Sequence, residues 1–315
     1  MTQTIFEKCA AAAETQLKVM RNVAAELFGD RQDLIIGVNG SVARREYTSG
    51  SDIDHFFLYV NDVSSQDVDL SGEEYEFRKA LEFKGLKMPA SGGVFEGALN
   101  ADKLLTPIGG DDDTNKTLTR RMLFLLEGEW IFNQGVFEDL RVKLISQYVA
   151  DSLEHDKLAL YLLNDIIRYW RTICIDFEHK TSGGKKPRAL RLAKLRMSRM
   201  LLCFAGMVAI AEASDLPPNE KRDRLVELFS QQGITRLEGI LSEEFSPAKQ
   251  LYGQFLSSLD DETVRSKLNL DGDEGMQTPE FEEMTELARK FKNELVKIML
   301  SHYGPETRIV HAILL

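Results

Sequence analysis

The spacing of apolar residues predicts alternating helices and strands in the first third of the chain. Over residues 4–28, apolar side chains recur every three or four positions, which is typical of an amphipathic helix, and Gly29 ends the pattern. Short apolar runs bounded by turn residues favour buried strands. The predicted order is a helix over 4–28, strands over 34–38 and 53–60, a helix over 73–84, a strand over 92–98 and a loop over 100–114.

From Thr117 onward the pattern is helical. Helices are predicted near 117–131, 135–152, 156–179, 187–212, 219–230, 247–258 and 279–302. The change of pattern predicts two domains, a small α/β domain over 1–115 and an all-helical, substrate-binding domain over 116–315. The fold class expected from this order is α+β.

Composition excludes several classes of protein. The chain has 315 residues, of which 43% are hydrophobic and 28% charged, which is ordinary globular usage. A net charge of −11 argues against a generally basic nucleic-acid coat. The three cysteines are far apart and suit a reducing compartment, and neither a signal peptide nor an apolar run of about 20 residues is seen. We therefore expect a cytoplasmic protein that does not act in a membrane.

The segment with the clearest chemistry joins a glycine turn to a pair of carboxylates. Gly40-Ser41 follows the first predicted strand, and Asp52 and Asp54 come after ten intervening residues. Glycine lets the backbone approach a ligand closely, and amide groups at a strand-to-helix turn favour phosphate. Asp52 and Asp54 are two positions apart on a strand, so we expect them on one face, where a cation would relieve their repulsion. This donor set suits Mg²⁺ together with substrate phosphates.

This arrangement resembles the polymerase-β nucleotidyltransferase superfamily. The string from Gly40 to Asp54 is similar to its small bacterial branch, which includes the MNT-type and PII-uridylyltransferase-like proteins. The resemblance implies a small mixed-sheet nucleotidyltransferase domain in which the Gly-Ser turn holds the nucleotide phosphates. It also implies that Asp52 and Asp54 bind two Mg²⁺ ions, with Mn²⁺ as the alternative metal. Arg44, in the same string, is counted with Gly40 and Ser41 as nucleotide-binding.

The family usually has a third carboxylate, a metal ligand or general base, on a neighbouring strand. Glu96 in the third predicted strand is the candidate for this role, both catalytic and metal-binding, and a solvent-facing Glu96 is the alternative. Residues 111–113, three consecutive aspartates, compete for the role, but aspartates in a loop flanked by glycine favour a solvated turn.

A basic island lies in the helical half. Residues 180–199 contain eight basic and no acidic side chains. Such a surface could hold a triphosphate, although charge runs are often only solvated helix faces. Asp165 lies three positions before Arg168 and can orient it. The predicted nucleotide-binding cations are Arg168, Arg171, Arg191 and Lys194.

These observations predict a Mg²⁺-dependent nucleotidyltransferase that moves a nucleoside monophosphate from a nucleoside triphosphate to an acceptor and releases pyrophosphate. The acceptor is left open among protein, small molecule and RNA. The first alternative is a non-catalytic nucleotide-binding module, regulatory or antitoxin-like. The second is a toxin that modifies tRNA by the same chemistry.

Overall fold

The computed structural model of the protein describes residues 3–60, 68–89, 94–153, 157–182 and 187–314. The fold is α+β, as predicted. The chain divides into two compact units, Met1–Ala150 and Asp151–Leu315. The predicted boundary at residue 115 falls inside the first unit, because a strand at Glu129–Phe132 pairs with the sheet formed by the earlier strands.

The first unit surrounds a mixed sheet. Strand β1 pairs antiparallel with β2 on one side and with β4 on the other, and β3 pairs parallel with β2. The strand order among the described residues is therefore β3-β2-β1-β4. The elements are α1 (Ile5–Phe28), β1 (Leu34–Asn39), α2 (Gly40–Ala43), β2 (Asp54–Tyr59), α3 (Ser71–Phe83), β3 (Leu99–Asn100), α4 (Asp102–Leu105), α5 (Asn115–Glu127), β4 (Glu129–Phe132) and α6 (Gln134–Tyr148).

One predicted strand and one predicted helix of this unit are wrong, and the loop predicted over 100–114 contains the short helix α4. Residues 94–98 of the predicted third strand form turns, residues 92 and 93 lie outside the described residues, and the strand is instead the pair Leu99–Asn100. The helix predicted over 117–131 ends at Glu127, and Glu129–Phe132 is a strand. The strand is only four residues long and is separated from the helix by Gly128 alone, so periodicity does not distinguish the two.

Side chains of β2 alternate between two cores. Phe57 lies in a cluster with Phe28 of α1 and Phe77 of α3. Phe56 points to the opposite face, where its ring stacks on that of Phe95 with centroids 4.5 Å apart and meets Phe124 of α5 edge-on. Since successive strand side chains alternate, Asp54 belongs to the face of Phe56, and His55 to that of Phe57.

His55 packs against aromatic rings on the face opposite Asp54, and both nitrogens of its ring are buried. Its ring centroid lies 5.9 Å from that of Phe57 and 5.6 Å from that of Phe77. Burial, with a smaller contribution from the charge of Arg78, lowers the pKa of His55 to about 4. The folded protein therefore holds His55 neutral at pH values where an unfolded chain, with a pKa of about 6.5, binds a proton.

We expect this histidine to make stability depend on pH. The unfolded state binds more protons between about pH 6.5 and pH 4, so the free energy of unfolding falls as pH falls through that window, by up to about 3 kcal/mol in total. Denaturant unfolding of wild type and His55→Phe at pH 7.5, 6, 5 and 4 measures it. The His55→Phe variant should lose this part of the slope, and His179→Phe, at an exposed histidine, should keep it. Equal slopes in wild type and His55→Phe would contradict the assignment.

The described part of the second unit is helical. Its α-helices are α7 (Leu160–Thr181), α8 (Arg188–Lys194), α9 (Met200–Glu212), α10 (Pro218–Ser230), α11 (Gly233–Leu241), α12 (Ser246–Asp260), α13 (Glu262–Leu268), α14 (Pro279–Ile298) and α15 (Arg308–Leu314). The apolar helix α9 is buried along nearly its whole length and packs against α7 and α11. A π-helical segment, Leu195–Arg199, joins α8 to α9, so that the helix predicted over 187–212 is present with a local change of winding. Helices α11, α13 and α15 were not predicted.

Candidate functional site

The glycine turn forms directly at the end of the buried strand β1. Gly40 has a φ of 77°, in the left-handed region that glycine adopts most readily, and it begins the single helical turn α2. The amide of Arg44 donates to the carbonyl of Gly40 at 3.1 Å, and the amide of Glu46 donates to that of Ser41 at 2.7 Å. These bonds close a tight reversal after β1 and send the chain back toward β2.

Strand pairing places one carboxylate of the pair beside this turn. Asn39, the last residue of β1, lies directly opposite Asp54, the first residue of β2. A Cβ atom on Gly40 would be 2.9 Å from Oδ2 of Asp54. Only a residue without a side chain leaves this space to the carboxylate. The structure therefore brings the Gly-Ser turn and Asp54 into contact, as the spacing predicts.

Asp52 precedes β2 and is held by the residue between the two aspartates. Ile53 is fully buried, and its amide donates to the carbonyl of Lys87 at 3.0 Å. Asp52 is half-buried and Asp54 is exposed, on either side of this anchored residue. Of the two aspartates, the one nearer the turn is thus the more exposed to solvent.

Ion pairs fix the return loop after the turn. Arg44, with a side chain only 11% exposed, binds Oε2 of Glu46 through Nε at 2.7 Å and binds the fully buried Glu127 through Nη1. Arg45 has a φ of 61° and its guanidinium contacts Glu129 of β4 at 2.9 Å. The turn is thereby tied to the end of α5 and to an outer strand of the sheet.

These contacts bear on the nucleotide-binding role that the sequence predicts for Arg44. Two carboxylates, of which one is completely buried, already neutralise its guanidinium. These ion pairs fix the loop that follows the Gly-Ser turn, and the role of Arg44 as a nucleotide ligand stays a prediction. Glu127 holds the guanidinium of Arg44 and was not predicted as a site residue. In the sequence it is marked only as an acidic residue at the end of an apolar helix.

Glu96 is not grouped with the aspartate pair. It is exposed in a turn that precedes β3. Burial, followed by the nearby charge of Glu96, raises the pKa of the Glu74 carboxyl in α3. Within the described parts of the chain, no three histidine, cysteine or acidic side chains are grouped so that they could hold a metal ion. A three-carboxylate site of Asp52, Asp54 and Glu96 is therefore not assembled in this structure.

The three consecutive aspartates differ from one another. Residues 111 and 112 are exposed, as a solvated turn predicts, but Asp113 is buried and bonded to Arg121 of α5 at 2.9 Å. The solvated-turn interpretation is wrong for Asp113, because a buried cation compensates its charge. Asp113 thus closes the loop before α5.

The predicted basic residues belong to the second unit. Arg168 lies 3.7 Å from Asp165, the partner that the spacing indicated, and both are on α7 with Arg171. Arg191 is exposed and Lys194 half-buried on α8, and Lys185 and Lys186 of the basic island lie outside the described residues. Arg188, in the same island, pairs with Glu178 at 2.7 Å. The role of Arg168, Arg171, Arg191 and Lys194 as nucleotide ligands stays a prediction.

Comparison of the chain with models of known protein families finds no match, and comparison with curated proteins finds no significant one. In the described ranges no helix is both long and apolar enough to cross a membrane. A function for the site is therefore inferred from its geometry.

Replacing Gly40 by alanine tests the contact with Asp54. A left-handed φ costs alanine about 1–2 kcal/mol, and the added methyl group also displaces the carboxylate. Gly85 is the matched control, since it has a φ of 83° and open space around its Cβ position. Both variants should lose similar free energy of unfolding in denaturant titrations, but only Gly40→Ala should bind Mn²⁺ more weakly by calorimetry. Equal Mn²⁺ affinity in the two variants would mean that the carboxylate of Asp54 does not bind the cation.

Proposed function

We propose that this protein is a Mg²⁺-dependent nucleotidyltransferase. The observation that carries the proposal is the contact between the Gly-Ser turn and the exposed carboxylate of Asp54, fixed by the pairing of Asn39 with Asp54. A phosphate-binding turn and a metal-binding carboxylate then act on the same ligand. The resemblance of the string from Gly40 to Asp54 to the polymerase-β superfamily supports the same function.

The residues present fit a divalent cation. Mg²⁺ prefers hard oxygen ligands and is commonly held by one or two carboxylates together with substrate phosphates and water. Asp54 is exposed beside the turn, and Asp52 lies two positions before it. Two carboxylates without a third match this mode, because the phosphates and water supply the remaining ligands. Bound Mg²⁺ would neutralise charge on the triphosphate and lower the pKa of the attacking group.

Residues of the chain bind the phosphates and position the reacting groups. Gly40 and Ser41 present backbone amides and one hydroxyl to the β- and γ-phosphates, and the missing side chain at Gly40 lets the carboxylate of Asp54 lie beside the turn. In the reaction the acceptor's nucleophilic atom forms a bond to the α-phosphorus, the bond between the α-phosphorus and the bridging oxygen breaks, and pyrophosphate leaves with that electron pair. The acceptor's proton passes to solvent or to a carboxylate of the pair. Asp52 and Asp54 would hold the cation, which would keep the triphosphate in position for the reaction.

Label transfer tests this function directly. Purified protein is incubated with Mg²⁺, cell lysate and each of the four nucleoside triphosphates, labelled either at the α- or at the γ-phosphate. We expect the α-label, and not the γ-label, to appear in one fraction of protein, RNA or small molecules, and addition of EDTA to prevent it. Transfer of the γ-label alone would overturn the proposal in favour of a kinase reaction. Label in tRNA would identify the acceptor of the toxin alternative.

A non-catalytic nucleotide-binding module is the second candidate. The observation that favours it is that, among the described residues, Glu96 is not grouped with the aspartate pair to supply a third carboxylate. This module predicts that nucleoside triphosphate binds in the presence of Mg²⁺ and that no label is transferred to any fraction. That result would replace the proposed enzyme by the module.

A further inference from the structure

A buried polar atom without a partner lies beside the proposed metal site. Asn39 is the last residue of β1, and it is only 5% exposed. Its carbonyl oxygen, Oδ1, is buried and has no hydrogen-bond partner. A buried acceptor left in this state costs about 1–3 kcal/mol, so it calls for an explanation by a water, an ion or a ligand.

The position of Asn39 relates this oxygen to the aspartate pair. Asn39 and Asp54 are directly opposite each other in the antiparallel pair of β1 and β2. Directly opposite residues project to the same face of a sheet, with Cβ atoms about 4.5–5.5 Å apart. Asn39 also precedes Gly40, whose missing side chain leaves room at Oδ2 of Asp54. The oxygen therefore belongs to the face and the end of the sheet at which the carboxylate lies.

The side-chain amide of Asn39 can supply a further oxygen ligand for a cation that the two aspartates bind. A side-chain amide oxygen is a hard ligand of the kind that divalent cations take in proteins. The buried atoms of His55 are also without partners, but they lie on the other face of β2 among phenylalanine rings.

We infer that Oδ1 of Asn39 is the third protein oxygen of the divalent-cation site formed with Asp52 and Asp54, either on the ion itself or on a water bound to it. This inference rests on the proposed function, since it names a ligand of the same site. Asn39 takes the place that the sequence analysis assigned to Glu96. A neutral third ligand leaves the site with two negative charges instead of three, so cation binding in the absence of nucleotide should be weak and should strengthen when a triphosphate is present.

Cation binding by the whole chain tests the inference without an activity assay. Free Mn²⁺ is measured by electron paramagnetic resonance during titration, with Mn²⁺ alone and with Mn²⁺ and α,β-methylene-ATP, a triphosphate analogue that cannot be cleaved at the α–β bond. The variants are Asn39→Leu, which has similar size and no oxygen, Asn39→Asp, Asp54→Asn, and the exposed control Asn164→Leu. Circular dichroism establishes that each variant is folded.

We expect Asn39→Leu to weaken Mn²⁺ binding on the order of 10-fold or more, in the range seen when a supporting ligand is removed. Asn39→Asp should bind Mn²⁺ at least as tightly as wild type, because it keeps an oxygen and adds charge. Asn164→Leu should be unchanged. If Asn39→Leu does not fold, Asn39→Ala answers the same question.

The outcomes separate this inference from the proposed function. Wild-type affinity in Asn39→Leu or Asn39→Ala, with binding lost in Asp54→Asn, would overturn the role of Asn39 and leave the proposed site intact. Absence of Mn²⁺ binding by the wild type, with and without the analogue, would overturn both.

Discussion

Asp54→Asn should abolish nucleotidyl transfer and leave the protein folded. Asparagine keeps the shape of the side chain but removes the negative charge nearest the Gly-Ser turn. A bound divalent cation contributes several kcal/mol to stabilisation of the charge in the transition state, so we expect the rate to fall on the order of 10³-fold or more. The free energy of unfolding should change by less than about 1 kcal/mol, because Asp54 is exposed.

The measurement is the rate of α-label transfer, with Asp30→Asn as a matched control at an exposed aspartate two residues after the end of α1. Asp30→Asn should retain the wild-type rate. The rate with Asp54→Asn should not recover when the nucleotide concentration is raised, since the loss lies in the transition state. Retention of more than about a tenth of the wild-type rate in a folded Asp54→Asn protein would remove this carboxylate from the reaction.

Arg121→Met should cause the largest loss of stability in the first unit. Arg121 and Asp113 form a two-point ion pair, with distances of 2.9 and 3.2 Å, and neither side chain is exposed. Nε of Arg121 also donates to the hydroxyl of Tyr148 at 2.6 Å. Methionine fills similar space but leaves the carboxylate of Asp113 buried without its cation. Removal of one partner of a buried pair costs about 3–5 kcal/mol.

Denaturant unfolding followed by Trp130 fluorescence measures this loss. Trp130 lies in β4 of the first unit, and a Trp170→Phe background removes the second of the two tryptophans. The matched control is Arg31→Met, whose ion pairs with Asp33 and Glu73 are partly exposed and should be worth at most about 1 kcal/mol. The double variant Asp113→Asn with Arg121→Met should recover part of the loss, because the uncompensated charge is gone. Equal losses in the free energy of unfolding for Arg121→Met and Arg31→Met would contradict the expectation that the buried ion pair contributes more than the partly exposed ones.

Local pattern was sufficient for most helices and for the two central strands. Periodicity located α1, β1 and β2 to within a residue or two, because each is a continuous amphipathic or apolar segment. The same method misassigned β4, where four residues after a helix become a strand only by pairing with β1. It also misplaced β3, a strand of two residues, Leu99 and Asn100, that joins the sheet by pairing with β2. Elements of this length are stabilised by their neighbours, and their own sequence carries little preference.

The sequence by itself determined the composition of the candidate site near the turn. Gly40, Ser41 and the two aspartates were recognisable because a strand, a turn and a ten-residue return place them at one end of a hairpin, and this geometry is local. Pairing over longer distances decided the rest. Glu127 comes to Arg44 from 83 positions along the chain, and Asn39 faces Asp54 only through the register of two strands.

Glu96 and Asp113 show why tertiary structure was needed to assign the acidic residues. Both lie within three residues of a glycine, yet Glu96 is exposed near Glu74 and Asp113 is buried against Arg121. A carboxylate's role depends on which cation or metal lies within a few ångströms of it, and that distance is set by packing between elements far apart in the chain.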